Sequence, residues 1–382
     1  MTMPTRDELF AGLRRAPDVE APNLFAVDAA DRLILDTAAG ALASMSGDHV
    51  VVVGDHYGAL TLGAVVEHGL SGLRVHQDLV TGEQASIRNA TAVGLSDRFE
   101  HCALDGDLFR AARVVLMQLP RTLAELAEIA DTAATFADPG VQVFAGGRDK
   151  HITPAMNDVL RQRFEHVQAS RGRQKSRVLS ASGPIVPSQC EYPVTATLDD
   201  LDMTVVAHGG AFAGAKLDIG TRALLKVLSL DHVARSSVVV DLGCGTGVLA
   251  VHTKRRRPDL RVVGTDRSAA AVRSTEATAA ANGVDIEVVR DDAMASFDGG
   301  SVDLILCNPP FHLGAAVHTG GATKMFEAAA RVLRPGGAMW TVYNSHLGYR
   351  GALTRTVGPT DVRGRTGKFT VVRSSKVVRP VD

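Results

Sequence analysis

Short apolar runs rich in Val, Ile and Leu recur along this chain, and the stretches between them carry apolar residues at helical spacing. In the second half the runs fall at residues 237–242, 261–266, 286–289, 302–307 and 338–343, with helical patterns at 268–281 and 323–333. Strands this short and this uniformly apolar are buried on both faces. They predict an α/β fold with a mostly parallel, twisted sheet covered by helices. Ligands of such sheets bind beyond the carboxyl ends of the strands, so the residues that follow each run are the ones to read for chemistry.

The pattern also repeats. HVVVVGDHYGAL (49–60) aligns with SVVVDLGCGTGVL (237–249), placing Gly54 on Gly243 and Gly58 on Gly247. RVVLMQLPRTL (113–123) aligns with VDLILCNPPFHL (302–313), placing Gln118 on Asn308 and Pro120 on Pro310. Each half closes on a basic stretch, RGRQKSRVL from Arg171 and RGRTGKFTVV from Arg363. Landmarks in the same order at nearly constant offset indicate duplication rather than two unrelated α/β domains. A period as long as a whole domain excludes a solenoid. The Pro- and Ser-containing stretch 180–193 is the expected boundary, giving domains of 1–185 and 186–382.

Composition narrows the class. A chain of 382 residues suits two ordinary domains, and 45% hydrophobic with 22% charged residues is the balance of a folded globular protein. A formal net charge of -1 argues against non-specific coating of nucleic acid, while leaving room for a local basic surface. Cys102, Cys190, Cys244 and Cys307 lack the paired spacing of zinc or redox sites, so free thiols and no metal are expected. MTMPTRDELF has no apolar signal region and no apolar run is long enough to span a bilayer; the expectation is cytoplasmic, with no membrane partner. The duplication supplies an internal pseudo-dimer, and a monomer is expected.

VVVDLGCGTGVLA is the first motif with chemistry in it. A buried strand ends near Asp241, and Gly243, Gly245 and Gly247 follow before a helix, letting backbone approach a ligand closely. The next strand ends at Asp266, where a carboxylate can accept hydrogen bonds from a ribose diol. A dinucleotide fingerprint would read G-x-G-x-x-G, but Val248 stands at the third glycine position. The spacing favours S-adenosylmethionine (SAM) and leaves the dinucleotide open. Asp241 would suit the amino end of a methionine moiety, or would simply cap a turn. Asp292 is the candidate for the adenine amine, with Asp291 adjacent.

ILCNPPFH (305–312) decides between them. It follows the fourth strand, beside the glycine loop. Its prolines stiffen the turn, and Asn308 together with the Pro309 carbonyl offers two acceptors to a planar, conjugated amine. Accepting both hydrogens localises the nitrogen lone pair toward a methyl sulfonium, so the chemistry is positioning and electrostatics. Phe311 supplies a stacking face, worth about 1–3 kcal/mol for a base.

Glycine loop, Asp266 and NPPF together resemble the class I methyltransferases of exocyclic amines, whose motif is [N/D]PP[Y/F]. The NPPFH form behind a degenerate copy of the domain resembles the bacterial ribosomal RNA guanine-N2 methyltransferases, and of their two groups the large-subunit (23S) one more than the small-subunit (16S) one. FAVDAADRLIL, LPRTLAEL, FAGGRDKHIT, FAGAKLDIGTRALL, YNSHLGYR and KFTVVRSS carry that likeness along nearly the whole chain. The resemblance implies two tandem Rossmann-like methyltransferase domains, SAM as cofactor and ribosomal RNA as partner. Asn308, Pro309, Pro310 and Phe311 would be catalytic, and Phe311 and His312 would meet the target base. It also implies that Lys216, Asp218 and Thr221 lie near cofactor or target; a helix start capped by Asp218 reads equally well.

The first half lacks the chemistry. Val52 replaces Asp241, His56 replaces Gly245, and QLPR replaces NPPF, so loss of SAM binding is expected and RNA recognition is its implied role. Residues 161–177 and 363–379 each hold six basic residues. Arg171, Arg173 and Lys175 are the candidate phosphate contacts, a solvated surface hairpin being the plainer reading. A non-catalytic RNA-binding assembly factor remains the alternative from outside the enzymes.

Overall fold

The structure is a computed structural model that describes residues 3–309 and 318–377. It divides into two compact units, Met1–Tyr192 and Pro193–Asp382. The division lies inside the stretch 180–193, but the start of that stretch belongs to a strand of the first unit rather than to a linker.

The first unit is built on β1 (Val50–Val53), β2 (Leu73–His76), β3 (Phe99–His101), β4 (Val114–Gln118), β5 (Gln142–Arg148), β6 (Phe164–Ala169) and β7 (Ser176–Pro184). They form one sheet in the order β3-β2-β1-β4-β5-β7-β6. Strands β1 to β5 run parallel, and β7 returns antiparallel to both β5 and β6. The four valines of β1 show why this strand is central. Val50 and Val52 enter a core with Ile34, Leu35 and Leu60, whereas Val51 and Val53 enter a second core with Leu108, Phe109 and Leu126. Period-two alternation with both faces buried requires helices on both sides.

The second unit begins with a two-stranded antiparallel hairpin, β8 (Val194–Leu198) and β9 (Met203–Ala207), which the apolar-run reading does not anticipate. It is fastened to the helix Ala269–Ala281 and its C-cap. The Val206 N–H donates to Thr278 Oγ1 at 3.0 Å, and the Asn282 side chain bonds both the N–H and the carbonyl of Thr204. The main sheet follows with β10 (Val238–Leu242), β11 (Arg261–Asp266), β12 (Glu287–Arg290), β13 (Val302–Cys307), β14 (Leu333–Asn344), β15 (Thr360–Arg365) and β16 (Phe369–Ser375). Its order, β12-β11-β10-β13-β14-β16-β15, is the same permutation as in the first unit, again with the last hairpin antiparallel. An identical seven-strand permutation is strong structural support for duplication. Among the described residues no helix is long and apolar enough to cross a membrane.

Each unit's basic stretch falls on the hairpin that ends its sheet, at the turn between β6 and β7 and at the turn between β15 and β16. The plainer expectation, a surface hairpin, is therefore correct in form. Arg379 lies outside the described residues.

Candidate active site

At the carboxyl end of β10 the backbone crosses toward β11, with Gly243 and Cys244 N–H groups both donating to Thr265 O at 2.8 and 3.1 Å. Gly245 follows at φ +56°, and a Cβ built there would meet nothing within 4 Å. That backbone is open on the side where a ligand can approach it. Gly247 has a packing neighbour on its Cβ side. It begins the helix Val248–Arg256 at φ +78°, and a Cβ on it would lie 2.8 Å from Thr275 Cγ2 and 3.0 Å from Thr275 Cα. On that side it packs closely against the next helix, Ala269–Ala281.

Two carboxylates flank the loop. Asp266 accepts from Gly245 N at 3.2 Å through one oxygen and from Ser268 N at 3.0 Å through the other, so its position is locked to the loop. A carboxylate offers about four acceptor positions in all. Asp241 is buried at 1% exposure. Its Oδ2 accepts from Ala250 N at 3.0 Å, the capping part of the expectation, while Oδ1 is buried with no hydrogen-bond partner among the described residues. Burial pushes this carboxyl up to about 7, opposed by the Ala250 N–H and aided by the nearby Asp266 charge. A buried, unpaired carboxylate oxygen costs about 1–3 kcal/mol or more, and a cationic ligand group would relieve it. The hydrogen-bond donors of SAM at this end, an ammonium and a ribose diol, fit these groups.

Asp292 lies beyond β12, paired with Lys324, and its N–H donates to Asp291 Oδ1 at 2.7 Å. Asp291 is otherwise engaged by the Ser296 N–H and hydroxyl at 2.8 and 2.7 Å. Of the adjacent pair, Asp291 is thus tied up holding its own turn.

Asn308 directly follows β13, whose neighbour in the sheet is β10, so the topology delivers it to the edge that carries Asp241 and the loop. Its Nδ2 donates to Asp218 Oδ2 at 2.8 Å and to Thr221 Oγ1 at 3.0 Å. Its Oδ1 is buried with no hydrogen-bond partner among the described residues. Pro309 is buried beside it; Pro310, Phe311 and His312 lie outside the described residues. Asp218 is the N-cap of the helix Ile219–Leu225, accepting from Thr221 N at 3.0 Å, and it reaches Asn308 with the same oxygen. The capping reading is met, and the same oxygen contacts the candidate residue Asn308. Lys216 is exposed, its N–H closing a turn on Gly214 O at 2.8 Å.

Two glycine roles lie outside the expectations. One is the Gly247–Thr275 contact. The other is Gly220, where a Cβ would sit 2.9 Å from Asp218 Oδ2 and 3.2 Å from Asn308 Oδ1. The available signal was a glycine in the first turn of a helix, where it costs about 1 kcal/mol against alanine. All four cysteines are free, with Cys244 and Cys307 buried and their thiols pushed up by desolvation.

The first unit keeps the frame of this site but fills it differently. Gly54 and Gly58 hold φ of +74° and +93°. The buried Asp55 accepts from Gly58 N at 3.1 Å and Thr61 N at 2.8 Å. Gln77 follows β2 where Asp266 ends β11, and its Nε2 donates to Asp55 O at 2.9 Å. Tyr57 donates its hydroxyl to Asp18 at 2.7 Å, under the guanidinium of Arg15. Of the hairpin's basic residues, Arg173 pairs with Asp36, which also holds Arg6 at 2.7 Å. Arg171 and Lys175 are exposed with no ion pair among the described residues. Arg173 is thus tied to its own fold by an ion pair at the surface.

Comparison with known proteins agrees along both units. Residues 1–184 match the RLMG N-terminal domain and residues 202–373 the methyltransferase small domain. Proteins named ribosomal RNA large subunit methyltransferase G are 35% identical in Stutzerimonas stutzeri, covering 98% of this chain and 100% of theirs, and 33% identical in Streptomyces coelicolor, covering 95% and 97%. The solved structure of a T. thermophilus 16S rRNA N2 G1207 methyltransferase with AdoMet and guanosine superposes at a TM-score of 0.70 with 22% identity, over 98% of this chain and 100% of that one, a likeness of fold. On relatives above 30% identity across nearly its full length, the chain belongs to the ribosomal RNA large subunit methyltransferase G family.

Proposed function

We propose that the second unit methylates the exocyclic N2 amine of a guanine in large-subunit (23S) ribosomal RNA, with SAM as methyl donor, and that the first unit holds flanking RNA. The family is one of methyltransferases of large-subunit ribosomal RNA. SAM, when bound, supplies an electrophilic methyl group on a sulfonium. Gly243 and Gly245 let backbone approach it, Asp266 accepts from its ribose, Asp241 faces its ammonium, and Asp292 receives the adenine amine. Gly247 supports the loop from behind.

The observation that carries the reading is the buried, unpaired Oδ1 of Asn308 at the edge shared with Asp241. With the Pro309 carbonyl it accepts the two hydrogens of the target amine, which sharpens the nitrogen lone pair. Phe311 stacks on the base, with His312 next to it, and an extruded guanine is the substrate form such a pocket takes. Arg171 and Lys175 contact phosphates of the flanking RNA. The assembly acts as a monomer in the cytoplasm, with no metal.

The test is nuclease mass spectrometry of ribosomal RNA from a strain lacking the gene. One N2-methylguanosine should be missing from the 23S RNA and should return with the wild-type gene. An unchanged complement of methylguanosines would overturn the reading.

A further inference from the structure

We propose that Asp218 and Thr221 are positioning residues that fix which end of the Asn308 amide faces the target amine. This rests on the role of Asn308 proposed above.

An asparagine amide presents an acceptor at one end and two donors at the other, and a half-turn about its last bond exchanges them. Facing a guanine amine with its own NH2 group, Asn308 would repel the substrate. The helix Ile219–Leu225 removes that choice. A carboxylate offers only acceptors, so the group at 2.8 Å from Asp218 Oδ2 is the amide NH2. Thr221 Oγ1 takes the second amide hydrogen at 3.0 Å. Both donors are consumed, and Oδ1 is left buried and unpaired. The clamp also needs Gly220, since any Cβ there would crowd Asp218 Oδ2 and Asn308 Oδ1 together.

The first unit carries the same device in altered form. Asp28 is the N-cap of the helix Ala29–Leu42, three residues before Asp31, as Asp218 is three residues before Thr221. There the Nε2 of Gln118, the counterpart of Asn308, donates to Asp31 Oδ1. An amide at the end of the fourth strand, gripped by the first turn of this helix, is thus a feature of the fold in both units, with the gripping atoms exchanged.

The experiment is a double-mutant cycle in the full chain. Asp218→Ser keeps a good N-cap residue but is too short for Asn308, and Thr221→Val keeps shape while removing the hydroxyl. Each should lower kcat about 10-fold, the worth of one lost hydrogen bond to a preorganised group. The Kd for SAM and the KM for RNA should hold, and Thr221→Ser should restore most of the rate. In an Asn308→Ala background neither substitution should lower kcat further, because both act through that amide. Full loss of rate on top of Asn308→Ala, or a fall in SAM affinity matching the fall in kcat, would overturn the clamp. If Asn308→Ala itself leaves kcat intact, the proposed role of Asn308 fails instead, so the two failures are distinguishable. Thr221→Val leaves the Asp218 cap in place, so its kcat reads the clamp even if Asp218→Ser melts early.

Discussion

The two units share the seven-strand order of their main sheets and differ at the atoms that would touch a ligand. The outer glycines of the two loops hold matching dihedrals, φ +74° at Gly54 against +77° at Gly243 and +93° at Gly58 against +78° at Gly247, whereas the middle position differs, Gly245 being at +56° and His56 outside the positive-φ region. The same N–H to carbonyl bond links the loop to the second strand, Gly54 to His76 at 2.9 Å and Gly243 to Thr265 at 2.8 Å. What has changed is side-chain chemistry: Val52 for Asp241, His56 for Gly245, Gln77 for Asp266 and Gln118 for Asn308. In the first unit the corresponding polar groups are satisfied internally, as by Asp55, Gln77 and Tyr57. In the second, Asp241 Oδ1 and Asn308 Oδ1 are left without partners. The fold is indifferent to which arrangement it carries. The unpaired acceptors at the second unit's candidate site are ones a ligand could complete.

The largest effect that would sharpen this contrast is on SAM binding. Asp241→Asn should weaken SAM by about 10- to 100-fold, the range for a hydrogen bond to a charged group. The same change should stabilise the free protein at alkaline pH. The Asp241 carboxyl is raised in the folded state to about 7 from 3.8, so its ionisation penalty is absent below pH 3.8, grows between the two values and is complete above 7. The variant should therefore gain up to about 4 kcal/mol at pH 8 and little near pH 4. Wild-type SAM affinity should rise with pH through about 7. Calorimetric titration and thermal melts across pH check both; a variant that binds SAM normally would place Asp241 among structural caps alone.

A smaller effect tests the RNA side of the comparison. Reversing Arg171 and Lys175 to glutamate should weaken RNA binding about 10-fold and reduce the salt slope by about 1–2, as expected for two lost phosphate contacts. Arg173 is left alone, because reversing it would break its pair with Asp36 and confound fold with binding. Filter binding at several salt concentrations is the measurement. Unchanged affinity and slope would make the hairpin a soluble edge.

How far the sequence foretold this depends on the range of the interaction. The buried runs at 261–266 and 302–307 coincide with β11 and β13, because burial on both faces leaves a local signature. The run at 338–343 recovered only the regular part of β14, since Arg334-Pro335-Gly336-Gly337 breaks the pattern where the register with β13 shifts. The helix His318–Val332 starts before the expected 323 because Gly320 and Gly321 mask its first turn. Contacts between distant positions were invisible. Nothing in the spacing of Asp218 and Asn308 announces their bond, and nothing near Arg173 announces Asp36.

The smallest expected effect is the most direct challenge to the comparison, because Gln118 and Asn308 occupy equivalent places. Gln118 donates to the buried Asp31, whose carboxyl is pushed up to about 8 by burial and by the Asp28 charge. Gln118→Ala removes that donor from a carboxyl group that already holds the Asp28 N–H at 2.8 Å. The cost should appear as stability, about 1–3 kcal/mol for a buried polar group losing a partner, read as an earlier thermal transition. Turnover should stay within about twofold, against the 10²- to 10³-fold fall expected for a lost preorganised group at Asn308. The equivalence would then be one of architecture alone: an amide that serves chemistry in one unit serves only cohesion in the other. A rate loss for Gln118→Ala comparable to that for Asn308→Ala, with an unchanged melting temperature, would instead give the first unit a hand in the reaction.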